Sequence, residues 1–315
     1  MNWKYFYIRL TLSVLLSLSV GSSTFGSTNS SSSRDDSLVA NVDKLLAQAD
    51  RSQEASEARK FRNQGVEHYR AGRFKEAAEA LTEAVRLKPD YAQAYNDLGM
   101  AYAGMKRHME AVKYLQQAIR LNPALSEAYY NLGTTYYHLG QLEEAIAPLK
   151  QAIHLKQDYS WAHNNLGVVF FNLGRLTEAI DSYKQALRWS PDWAEVHCLL
   201  ALALDEAGQR VEAVESLRQA LRLRPDYAEA HNSLGVAFYK MKHYDEAFQR
   251  FREAVRLKPD YAVARYNLGV LSLVSHERDG AIEQYKTLKG LSHELANKLY
   301  GVIYRGMLLN VSGDK

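Results

Sequence analysis

This sequence is poor in the residues that mark stapled or loop-rich proteins. Its 315 residues contain one cysteine, Cys198, and six prolines. A single cysteine excludes an intramolecular disulfide framework. Cys198 sits in an apolar run from Val196 to Leu204, the setting of a buried small hydrophobe rather than a reactive thiol. No run of five or six like charges occurs, and 39 basic residues stand among 36 acidic ones for a net charge of +3. That pattern lacks the electrostatic footprint of a nucleic-acid binder. The apolar stretch from Leu10 to Val20, 11 residues, is well short of the ~20 that a membrane-spanning helix requires. What remains, 47% hydrophobic and 24% charged residues, is the composition of a folded, soluble chain.

The N-terminus reads as an address. Lys4 and Arg9 precede an apolar stretch from Leu10 to Val20, followed by Gly21, Ser22 and Ser23. A charged start, a short apolar core and a small-residue exit form the pattern of a secretory signal peptide, assigned to residues 1–23. Export to a periplasm or beyond the cell is therefore expected. The alternative is an uncleaved membrane anchor, lengthened by Trp3, Tyr5, Phe6, Tyr7 and Ile8. Residues 24–37 are rich in serine and glycine and are expected as a disordered linker. Leu38, Val42, Leu45, Leu46 and Ala49 fall on one helical face, which predicts an N-terminal capping helix over residues 38–57.

The rest of the chain is periodic. Five of the six prolines fall at one recurring position in a frame of 34 residues. Seven units follow, at 58–91, 92–125, 126–159, 160–193, 194–227, 228–261 and 262–295. Their eighth position holds Gly65, Gly99, Gly133, Gly167, Ala201, Gly235 and Gly269. Their twentieth holds Ala77, Ala111, Ala145, Ala179, Ala213, Ala247 and Ala281. Small residues at these two places let a pair of antiparallel helices approach closely. Gly72, Gly140, Gly174 and Gly208 mark the turn between them, replaced by Lys106, Lys242 and His276 elsewhere. The pairs Asp192–Glu195 and Asp226–Glu229 have capping-box spacing, so each aspartate is expected to start the next helix. Pro148, inside a second helix, predicts a kink. After the last unit, residues 296–315 are expected to cap the array, with Leu295, Leu299, Val302 and Ile303 on the covering face.

Within one unit, Tyr129, Leu132, Gly133, Tyr136, Ala145, Leu149 and Ala152 follow the signature of the tetratricopeptide repeat, and all seven units agree in register. The chain resembles that family. The resemblance implies an all-α fold, an α-solenoid of about seven helix–turn–helix repeats in a right-handed superhelix, whose first helices line a concave groove. It implies a protein–protein interaction scaffold holding a peptide or partner protein. On the groove positions stand Asn96, Asn164 and Asn232 at the fifth place, and Asn131, Asn165 and Asn267 at the sixth. Tyr130, Tyr137, Trp161, Phe171, Tyr239 and Tyr266 accompany them. Amide side chains offer a donor and an acceptor to any peptide backbone; the row resembles the asparagine ladder of O-linked N-acetylglucosamine transferase repeats. The other reading is that the asparagines serve helix packing.

His163, His197 and His231 share the fourth position of consecutive repeats. Neighbouring helices lie roughly 8–10 Å apart, too far for one zinc whose ligands sit within ~2.1 Å, so an aromatic packing slot is expected and no metal. No nucleophile motif, phosphate loop or His-Glu-x-x-His stretch occurs, so neither catalytic residues nor a cofactor are expected. The rival functions are an envelope assembly component acting through its convex face or ends, and the repeat part of a glycosyltransferase-like system.

Overall fold

The structure, a computed structural model, describes the backbone of residues 32–311 and the side chains of residues 40–304. The expected signal peptide lies outside the described residues, as does the linker up to residue 31. The chain divides into two compact units, residues 1–59 and 60–315.

Fifteen helices and no strands occur among the described residues. They are α1 Ser32–Arg70, α2 Phe74–Leu87, α3 Ala92–Gly104, α4 His108–Leu121, α5 Ser126–His138, α6 Leu142–Leu155, α7 Ser160–Asn172, α8 Leu176–Trp189, α9 Ala194–Glu206, α10 Arg210–Leu223, α11 Ala228–Lys240, α12 Tyr244–Leu257, α13 Ala262–Val274, α14 Arg278–Leu291 and α15 His293–Val311.

The N-terminal segments correct the sequence reading. The serine-rich tract is helical from Ser32, and the segment 38–57 is no separate helix but part of α1. None of residues 40–57 is buried, and Leu45 is 64% exposed. Strong helix formers (Ala, Leu, Glu, Lys, Gln and Arg) dominate this stretch, and no glycine or proline interrupts it before Gly65. Local propensity therefore carries one helix through the expected break.

From residue 60 onward the repeat pattern becomes packing. The alanines at the twentieth position are all fully buried, as are Ala84, Ala118, Ala152, Ala186, Ala220 and Ala254 seven residues later. At Gly133 a Cβ would stand 2.6 Å from Leu149 Cγ and 3.1 Å from the Ala145 carbonyl oxygen. Only a hydrogen fits there, so the two helices of the unit touch backbone to side chain. The turns behave as the sequence predicts. Gly140 has φ 75°, and Lys106, Lys242 and His276 take the same left-handed conformation at φ 60–63°.

Neighbouring first helices approach one another, as α3 with α5, α5 with α7, α7 with α9 and α9 with α11 do. Second helices instead meet the first helices on either side of them. A stack whose repeats are closer on one side curves toward that side. The first helices thus form the inner face of the residue 60–315 unit.

Two further expectations change. The capping boxes do not form: the N-caps of α9 and α11 are Trp193 and Tyr227, with no side-chain cap bond. The aspartates fall one residue too early, because an aromatic residue occupies the cap. Glu195 and Glu229 instead pair with Arg224 and Lys258 of the same units' ends. At the C-terminus Leu299 and Ile303 are buried as expected, but Val302 is 45% exposed and Ala296 takes its place in the interior. α6 runs its full length through Pro148.

Candidate partner-binding groove

The inner face is crossed by a regular ladder of side-chain bonds between repeats. The residue at the fifth position of one unit meets the residue at the sixth position of the next, 35 residues later. Arg62 Nε donates to Asp97 Oδ2 at 2.6 Å. Asn131 Nδ2 donates to Asn96 Oδ1 at 2.9 Å, and Asn267 Nδ2 to Asn232 Oδ1 at 2.9 Å. Asn165 Nδ2 donates to the Tyr130 hydroxyl at 3.2 Å and to Thr134 Oγ1 at 3.1 Å. Burial raises the Asp97 carboxyl above its ordinary value, while Arg62 pulls it down.

This ladder divides the six asparagines. Asn96, Asn164 and Asn232 are 7–8% exposed. Their amides lie inside the repeat stack, so these three are packing residues and leave the groove surface. Asn131, Asn165 and Asn267 are half-buried on the inner face. Asn131 and Asn267 each spend one N–H on the preceding repeat. Asn165 is more committed, because its Oδ1 also accepts from Asn164 Nδ2 at 3.1 Å.

The ladder stops at two junctions. Leu199 and Ser233 stand where an amide would answer Asn164 and Cys198. Asn164 Oδ1 is consequently buried without a hydrogen-bond partner. Cys198 is half-buried, and burial pushes its thiol up to about 12, which keeps it protonated and unreactive.

The aromatic residues also separate. Trp161 is 55% exposed and lies against Trp193, ring centroids 4.2 Å apart and planes at 60°. Tyr239 is 38% exposed and tilts against Tyr244. Tyr130 is half-buried against Tyr159, 5.0 Å between centroids. Tyr137 and Phe171 pack onto the central core cluster, and Tyr266 onto the C-terminal one. These three are half-buried and partly structural. Sequence reasoning missed Trp193 and Tyr159, which hold the N-cap position of the next helix, and Leu202, exposed at a ninth position. The repeat frame itself was the signal for Leu202, since that place is apolar in most units.

The fourth-position histidines are hooks, not aromatic fillers. His163 Nε2 lies 3.1 Å from the Gln157 carbonyl oxygen, His197 Nε2 3.1 Å from that of Pro191, and His231 Nε2 2.9 Å from that of Pro225. Arg265 continues the series by donating to the Pro259 carbonyl at 2.6 Å. Each ties a first helix to the loop that precedes it. Among the described residues no group of three or more His, Cys, Asp or Glu side chains is placed to hold a metal ion. No described helix is long and apolar enough to cross a membrane.

A stack of paired helices with small residues at every close approach defines a helical-repeat scaffold of the tetratricopeptide class. The family model described as the cilia and flagella-associated protein 70 C-terminal domain, a tetratricopeptide-repeat domain, matches residues 27–289, and the chain belongs to that family. No curated protein matches the chain. Among solved structures it is similar to YrrB, described as a TPR protein with an unusual peptide-binding site, at 21% identity. That match covers 59% of this chain and 96% of YrrB, with a TM-score of 0.53. It is similar to PilF of Pseudomonas aeruginosa at 21% identity, covering 67% of this chain and 96% of that one, with a TM-score of 0.57. A tetratricopeptide repeat protein from Parabacteroides merdae matches at 15% identity over 79% of this chain and 99% of its own, with a TM-score of 0.59. These likenesses establish the shared fold.

Proposed function

We propose that the protein is an exported, non-enzymatic scaffold that holds an extended peptide segment of a partner protein along the inner face of its repeats. The observation that carries this reading is the exposed aromatic surface of Trp161 and Tyr239 on first helices, the same set of helices that carries the half-committed amides of Asn131 and Asn267. Exposed large aromatics together with amides suit a peptide, whose side chains are apolar in part and whose backbone needs both donors and acceptors. YrrB is an instance of the same fold described with a peptide-binding site. Export rests on the pattern of residues 1–23.

The test is site-specific photo-crosslinking in the native host, with the crosslinker replacing Trp161 or Tyr239 in the groove and Val211 on a second helix. One partner captured from both groove positions and absent from position 211 is the expected result. Capture from position 211 alone would replace this reading with assembly through the outer face. Fractionation of the same cells checks export, which recovery of the whole chain in the cytoplasm would overturn.

A further inference from the structure

A cavity of about 430 Å³ opens between the first helices of the second and third repeats. Its wall combines Lys106, His108, Asn131 and His138 with the apolar Met100 and Leu115, and it contains no carboxylate. The His108 and His138 rings, from neighbouring repeats, lie with centroids 5.6 Å apart and planes within 18°. His108 Nδ1 is buried and has no partner. Lys106, in the left-handed turn between α3 and α4, forms no ion pair among the described residues. Asn131 retains one N–H beyond its bond to Asn96.

Lys106 and the free N–H of Asn131 are donors and the two imidazoles become donors on protonation, whereas the lining hydroxyls of Thr134 and Thr135 already donate to the Tyr130 and Asn131 carbonyls, and no anionic group lines the cavity. We propose that this cavity is a subsite for a carboxylate, carried by an acidic side chain or by the chain terminus of the peptide in the groove, and that the histidine pair takes up a proton as the carboxylate enters. The proposal rests on the groove reading for the source of the carboxylate, and on the cavity alone for its chemistry. The apolar wall suits the short aliphatic stem that joins a carboxylate to a peptide. No arginine lines the cavity to grip a phosphate in the bidentate manner. The two imidazoles lack the carboxylate or thiol that would complete a three-residue metal group.

The charge balance agrees. In the free protein, burial, then His138, then Lys106 hold His108 below the ordinary histidine range. A carboxylate would cancel the last two effects and favour the imidazolium. The groups around the pair do not supply that charge. From α1, Tyr69 keeps its proton, because burial raises its phenol. From α4, Glu110 is engaged by Arg107 at 2.6 Å. From α5, Tyr137 meets the His138 ring edge-on at 5.5 Å. α3 offers no titratable group to the cavity.

The test follows the imidazole Cε1–H signals of the full-length protein, labelled with carbon-13 histidine, from about pH 5 to about pH 9. His108→Gln and His138→Gln assign the two signals. The probes are N-acetylglutamate amide, with a side-chain carboxylate, and N-acetylglycylglycine, with a terminal one. N-acetylglutamine amide and sodium chloride at matched ionic strength are the controls. A carboxylate probe is expected to raise the His108 midpoint by about half a pH unit or more and to leave that of His163 unmoved. Lys106→Gln should remove most of that rise. The probe that acts more strongly identifies the source of the carboxylate. An unmoved His108 midpoint, an equal rise with chloride, or a full rise in Lys106→Gln would overturn the subsite. No partner is needed, so failure here leaves the crosslinking result standing, and the reverse holds too.

Discussion

Replacing Leu199 by Asn should stabilise the protein, although it puts a polar amide in place of a half-buried apolar side chain. Leu199 occupies the sixth position of its repeat, where Asn131 and Asn267 each donate to a buried asparagine oxygen at 2.9 Å. At this junction Asn164 Oδ1 is buried and unanswered, which costs about 1–3 kcal/mol. Removing the leucine sacrifices roughly 1 kcal/mol of apolar burial, because it is only half-buried on the core cluster. The net gain is about 1 kcal/mol, worth roughly 2–4 °C in melting temperature at this size. The mirror exchange, Asn131→Leu, strands Asn96 Oδ1 and should cost a similar amount. Urea titrations followed by circular dichroism, analysed as coupled repeats, measure both. Combining Leu199→Asn with Asn164→Ala should abolish the gain. A destabilised Leu199→Asn protein, or a neutral Asn131→Leu protein, would refute the ladder as an energetic element.

Other outcomes follow from the same geometry. Gly133→Ala forces a methyl to within 2.6 Å of Leu149 and should cost about 1–3 kcal/mol in the same titration. Lys242→Gly relieves a left-handed lysine at φ 63° and should leave stability unchanged or raise it by up to about 1 kcal/mol. Burial holds His163 below the ordinary histidine range. The unfolded chain therefore binds its proton first, and stability present above about pH 6.5 is lost as the pH falls toward the folded midpoint. His163→Gln, which can still donate to the Gln157 carbonyl, should flatten that decline in melting temperature. Trp161→Ala should lower affinity for the crosslinked partner about tenfold or more while leaving the melting temperature within about 2 °C, because the ring is mostly exposed.

Much of the fold is written locally. Glycine at the eighth position and alanine at the twentieth set how close two helices come, and both constraints act through residues near in sequence. The repeat register therefore predicts the starts of α3, α5, α7, α9, α11 and α13 and the left-handed turns. The expected caps were less legible. Asp192 and Asp226 look like helix starters, but the aromatic residue that follows each takes the cap position, and the glutamates turn to basic partners 29 residues away. The break expected at residue 57 is absent, because nothing in that stretch disfavours a helix.

The sequence by itself determines that the chain is a helical repeat array, which side chains are small at each contact, and which helix of each pair lies on the inner side. It cannot say what an inward residue touches. Fifth- and sixth-position asparagines are identical in type and adjacent in sequence, yet one faces the next repeat and the other the groove, because a rotation of about 100° separates neighbouring residues on a helix. Only the stacking of repeats brings residues 35 apart within 3 Å of one another. That stacking buries Asn96, Asn164 and Asn232, turns three histidines into loop hooks, and sets His108 against His138.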